Sequence, residues 1–122
     1  LQAAGVPQKS ARVDYAAVKL AREYVEAHLD ETIELATLAQ ACGRDRWQLS
    51  RDFRAVLGAS PYRYALLRRL DRAREMMHTG HALADVASAC GFADQSHFSR
   101  HFKKTFGMTP RTWSTHERSR PD

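Results

Sequence analysis

Cysteine and long apolar runs are both scarce in this chain, and each scarcity closes a route. The only cysteines are Cys42 and Cys90, and no Cys-x-x-Cys pair occurs. A disulfide framework and a cysteine-rich zinc site are therefore excluded. No apolar stretch approaches the ~20 residues of a membrane span, and no signal peptide pattern is present. The expectation is a cytosolic chain with no membrane partner. No segment alternates as a strand would, so the expected fold class is all-α. Neither a phosphate-cradling glycine loop nor a nucleophile motif appears, so the chain reads as a non-enzyme with no cofactor. The start at Leu1 instead of Met reads as the edge of a fragment whose preceding domain would lie outside it.

What the chain does have is one pattern twice. Leu35-Ala36-Thr37-Leu38-Ala39-Gln40-Ala41-Cys42-Gly43 returns as Leu83-Ala84-Asp85-Val86-Ala87-Ser88-Ala89-Cys90-Gly91. Asp45, Ser50-Arg51, Phe53, Gly58 and Pro61 then return as Asp94, Ser99-Arg100, Phe102, Gly107 and Pro110. The offset is 48 up to the glycines and 49 beyond them, so the second copy has one extra residue in its turn. Helix, glycine turn, helix is a helix-turn-helix unit. At 122 residues the chain can hold two such lobes, each too small to be stable alone with ease.

The net charge is +5, and its distribution is informative. Residues 1–34 carry −2, residues 35–79 carry +5 and residues 80–122 carry +2. The positive charge thus lies in the repeats, as a footprint for phosphate would.

Residues 1–13 lack helical periodicity and read as a tail or linker. The first helix-turn-helix subdomain is expected over residues 14–59. Asp14 can cap a helix to about Leu29, with Val18, Ala21, Val25 and Leu29 on one stripe. The two repeat helices follow, and Gly58 is placed to stop the second. Ser60-Pro61 opens a connecting helix over residues 60–79, a rod of about 27 Å. Its expected apolar stripe is Tyr62, Leu66, Leu70, Ala73 and Met77. The second subdomain is expected over residues 80–117, with Thr109-Pro110 starting its last helix, and residues 118–122 form a tail. Cys42 and Cys90, at equivalent places, read as one small buried hydrophobe used twice.

In each copy the second helix sorts into two faces. Leu49, Phe53 and Val56 are spaced for the core, as are Phe98, Phe102 and Phe106. Arg46, Trp47, Ser50, Arg51 and Arg54 are left outward in the first copy. Gln95, Ser96, Ser99, Arg100 and Lys103 are left outward in the second, with Lys104 beside them. Such residue types suit a major groove: arginine forks onto guanine, glutamine onto adenine, and hydroxyls reach bases or phosphates. Asp45 and Asp94 read as helix caps, since an acid facing phosphate would be repelled.

The stretch Ala89-Cys90-Gly91-Phe92, Gln95-Ser96-His97-Phe98-Ser99-Arg100-His101-Phe102-Lys103-Lys104 and Gly107-Met108-Thr109-Pro110 resembles the signature of the AraC/XylS family of bacterial transcription regulators. The resemblance covers about residues 14 to 116. It implies seven helices in two lobes, with the recognition helices entering successive major grooves of promoter DNA. It also implies base reading by Arg46, Trp47, Ser50 and Arg51, and by Gln95, Ser96, Ser99 and Arg100. Most relatives are activators that touch RNA polymerase, and a further domain usually senses a small-molecule effector. Arg44 departs from the pattern, because an apolar residue usually follows the turn glycine, as Phe92 does in the second copy. Trp113-Ser114 is a second departure, in the last helix.

His97 and His101 stand at metal-ligand spacing, and His78 and His81 form a near pair, but a zinc site needs more ligands. No metal is expected. His97 is instead expected at the boundary with DNA and His101 on the surface. The competing reading is a protein- or RNA-interaction module using the same basic face. RNA readers stack bases on exposed aromatics, and Trp47 is the one candidate.

Overall fold

The computed structural model describes residues 12–119, all of whose regular structure is helical. Most of the expected linker and the last three residues lie outside the described residues. Helices α1 (Tyr15–Ala27), α2 (Leu35–Ala41), α3 (Arg46–Leu57), α4 (Pro61–His78), α5 (Leu83–Ala89), α6 (Gln95–Phe106) and α7 (Pro110–Ser119) follow in order. They divide into two compact units, which we call lobes. The first takes residues up to His28 together with Thr32–Leu66, and the second takes Leu29–Glu31 and everything from Leu67.

Local chemistry sets the helix ends. Asp14 caps α1 by accepting from the Ala17 amide at 2.9 Å. Ser60 accepts from the Arg63 amide at 3.2 Å, and Thr109 accepts from the Thr112 amide at 3.2 Å. Gly58 and Gly107 end α3 and α6 in the left-handed conformation, with φ of 79° and 84°. Only glycine adopts this without strain.

The first lobe packs Val18, Ala21 and Val25 of α1, Leu38 of α2, and Leu49 and Phe53 of α3 into its core. Tyr64 meets Phe53 edge-on at 5.5 Å. The expected inward position of Val56 is corrected: it is 39% exposed. Its angle around the helix is inward, but it lies in the last turn, where burial depends on position along the axis. Tyr62 likewise leaves the expected α4 stripe and is 63% exposed, whereas Leu66, Leu70, Ala73 and Met77 are buried. It stands in the first turn of α4.

A charged group takes an inner place on α3. Asp52 is 3% exposed, and its Oδ2 accepts the backbone N–H of Asp14 at 3.2 Å. Arg44 forms an ion pair with the Asp14 carboxylate. The residue that departs from the family pattern therefore supplies a cation to Asp14, whose backbone amide Asp52 holds. In the second lobe the same turn position holds Phe92, which packs on Phe98 with ring centroids 5.1 Å apart. Asp52→Ala should lower stability by about 1–3 kcal/mol, because the half-buried Asp14 amide loses its acceptor. Urea denaturation measures this, and an unchanged midpoint would show that water replaces the carboxylate freely.

The second lobe is built on aromatic rings. Phe102 has Phe98, Phe106 and Trp113 around it at centroid distances of 5.7, 4.6 and 6.0 Å. Arg74 lies over the Phe106 ring at 4.7 Å, a cation–π contact. Arg69 donates from Nε to the Leu29 carbonyl at 2.6 Å and from its guanidinium to the Glu31 carbonyl at 2.5 Å. Arg68 and Arg74 both bond Asp71. Several arginines of α4 are thus occupied within the lobe. Cys90 is buried and Cys42 half-buried, so the shared-hydrophobe expectation holds fully only for Cys90. Burial pushes both thiols up, with Arg72 pulling back at Cys90.

Candidate nucleic-acid interface

Each lobe fixes the start of one recognition helix by an aspartate. Asp45 Oδ1 accepts from the amides of Trp47 at 2.9 Å and Gln48 at 3.2 Å. Asp94 Oδ1 accepts from the His97 amide at 2.7 Å. Both acids therefore have the capping role expected of them. The caps satisfy amides that would otherwise be orphaned, so the first turn does not fray. That turn carries Arg46 and Trp47 in α3 and Gln95 and Ser96 in α6.

On α3, Arg46, Trp47, Arg51 and Arg54 are exposed and Ser50 is half-buried. Trp47 is 69% exposed, a large apolar area whose one ring contact among the described residues is the Arg46 guanidinium, 5.4 Å from its ring centre. On α6, Gln95, Ser96, Arg100, Lys103 and Lys104 are exposed and Ser99 is half-buried. Repeat-equivalent positions match in exposure: Trp47 with Ser96, Ser50 with Ser99, Arg51 with Arg100, and Arg54 with Lys103.

His97 does not share the outward environment of these residues. It is half-buried, and its ring meets that of Phe92 edge-on at 5.8 Å. His101, expected on the surface, is half-buried too, with its Nε2 3.1 Å from Nε2 of His97. Spacing of four on a helix brings the rings together, and the aromatic turn residue Phe92 encloses them. His97 Nδ1 is buried with no partner among the described residues. Among the described residues, no group of three or more His, Cys, Asp or Glu could hold a metal ion.

Gln48 and Asp52 are the first-lobe counterparts of His97 and His101. Asp52 gave no sequence signal, because a lone acid in a basic helix reads as surface. Arg69 gave none either, since its acceptors are backbone carbonyls.

Two lobes with an outward cationic and hydroxyl-bearing helix in each define a tandem helix-turn-helix DNA-binding domain. The helix-turn-helix domain family matches residues 38–116. The chain is 43% identical over 88 residues to the HTH-type transcriptional regulator GbdR of Pseudomonas aeruginosa, covering 71% of this chain and 24% of GbdR. An AraC-type DNA-binding domain structure from Chromobacterium violaceum superposes with a TM-score of 0.77 at 32% identity, covering 88% of this chain and 96% of that one. The DNA-binding domain of AdpA, solved with a target DNA, shares the fold with a TM-score of 0.78 at 24% identity, over 84% of this chain and 94% of that one. The chain belongs to the AraC/XylS family of transcription regulators and corresponds to its DNA-binding domain. It spans about a quarter of the length of GbdR. No described helix is long and apolar enough to cross a membrane.

Proposed function

We propose that this domain reads promoter DNA by sequence, with α3 and α6 each in a major groove. One observation carries the reading: two aspartate-capped helices present the same outward frame with different side chains in it. Arg51 and Arg100 occupy equivalent places and each forks onto one base pair. Arg46 and Trp47 act on one box, and Gln95 and Ser96 on the other. Arg54, Lys103 and Lys104 supply charge for phosphates. His97 acts from the inner flank of α6, where it sets the helix against Phe92. The regulator as a whole is an activator that touches RNA polymerase and responds to a small-molecule effector through a further domain.

Selection of bound duplexes from a random pool tests this. The expected product is two short boxes about ten base pairs apart, one helical turn of DNA. Equal affinity for single strands of the selected sequence would instead favour an RNA-type reader. Arg51→Ala and Arg100→Ala should each lose about 1–3 kcal/mol of binding and relax preference at one base pair, in different boxes. A loss uniform over all sequences would make that arginine a phosphate anchor.

A further inference from the structure

The two lobes share a frame but differ at its rim. In the first lobe, Ile33, Leu35, Leu38, Ser50, Pro61 and Tyr62 surround a small, mostly apolar cavity of about 100 Å³. Ser50 belongs to the outward set of α3, so this rim borders the recognition surface, and exposed Tyr62 stands on it. The repeat offsets carry Ile33 to His81, Leu35 to Leu83 and Tyr62 to Arg111. Those three second-lobe residues again line one space, an open notch of about 500 Å³ shared with Trp113 and Glu117. The equivalent rim is therefore apolar in the first lobe and carries a cation in the second.

Several features leave Arg111 available to an anion. It is exposed and makes no ion pair among the described residues. The notch's one acid, Glu117, accepts from His78 Nδ1 at 3.2 Å, which draws it toward that ring. His81 Nδ1 lies 3.0 Å from the Met76 carbonyl and 3.1 Å from the Thr79 hydroxyl, so its ring is held in place at the rim. A guanidinium on α7, the helix whose Trp113 packs on Phe102 of α6, with no ion pair among the described residues, matches a backbone phosphate. We infer that the second-lobe notch seats a DNA backbone phosphate on Arg111, and that the first lobe has no such anchor because Tyr62 stands in its place. This rests on the DNA-binding reading and deepens it. The lobes then divide the work unevenly, with the second holding the duplex more firmly than the first.

Affinity measured against salt concentration tests it, using a duplex that carries the selected boxes and a scrambled duplex of equal length. Arg111→Ala should weaken both by the same factor and reduce the slope of log K against log salt by about 0.9, the share of one phosphate. Tyr62→Arg should steepen the slope by about the same amount. Arg111→Lys should keep most of the slope, since charge suffices for the contact. An unchanged slope in Arg111→Ala would overturn the inference, as would a loss confined to one base pair. Failure of the unmodified domain to bind either duplex would instead sink the DNA-binding reading itself, so the two failures are distinguishable.

Discussion

Gly91→Ala should destabilise the protein by about 3 kcal/mol or more, whereas Gly43→Ala, its repeat equivalent, should cost about 1 kcal/mol. Both glycines have positive φ, 85° at Gly91 and 64° at Gly43. Holding alanine in that left-handed region costs about 1–2 kcal/mol. Their surroundings differ far more than their backbones. A Cβ on Gly91 would come within 2.6 Å of the Leu29 carbonyl oxygen and 3.1 Å of the Asp30 Cα, while one on Gly43 would meet nothing within 4 Å. Backbone cannot swing aside as a side-chain tip can, and forced overpacking adds about 1–3 kcal/mol. The same carbonyl accepts from Arg69, so moving it breaks a charged hydrogen bond as well. Urea midpoints at constant m decide the matter. Equal losses at the two glycines would mean that the Leu29 contact contributes nothing.

Phe102→Ala should cost about 3–5 kcal/mol, the range for emptying a buried phenylalanine site. Phe102 is fully buried, and three aromatic rings surround it. Rings held in place by helix backbones collapse poorly into the space left behind, which favours the upper part of that range. Against a typical total stability of about 5–15 kcal/mol, such a loss threatens the fold. Trp47→Ala is the informative partner. At 69% exposed it should change stability by no more than about 0.5 kcal/mol while reducing affinity for selected duplexes. Loss of thermal stability in Trp47→Ala would place that ring against its own lobe, and retained binding would remove it from the interface.

Most of the scaffold was legible because its signals are local. Asp14, Asp45 and Asp94 cap where capping chemistry puts them, and Gly58 and Gly107 stop their helices with positive φ. Leu49, Phe53, Phe98 and Phe102 fall inward by helical period alone. Failures came where burial depends on what lies beyond the helix. Val56 and Tyr62 have inward angles but stand in terminal turns, and both are exposed. Asp52 is buried because the amide of Asp14, far away in sequence, needs an acceptor. His101 is covered because a turn of different composition lays Phe92 near it, at a centroid distance of 6.4 Å. The outward faces were legible as exposure, whereas the different burdens of the arginines were not. Arg69 holds carbonyls, Arg74 covers a ring and Arg111 stands free of ion pairs among the described residues, yet all three read alike as letters.

The capped recognition helices have a consequence for transplantation. The inner stripe and the cap of each helix involve none of the residues at 46, 47, 50 and 51 or at 95, 96, 99 and 100, apart from the backbone amide of Trp47. The letters read by one lobe could therefore be written onto the other without rebuilding either core. Whole helices could not be exchanged as freely. Asp52 carried into the second lobe would find no Asp14 amide, and His101 carried into the first would face Arg44 where it now has Phe92. Because Ser50-Arg51 and Ser99-Arg100 are already the same pair, the portable unit of specificity is two side chains, Arg46-Trp47 against Gln95-Ser96, smaller than the helix that bears them.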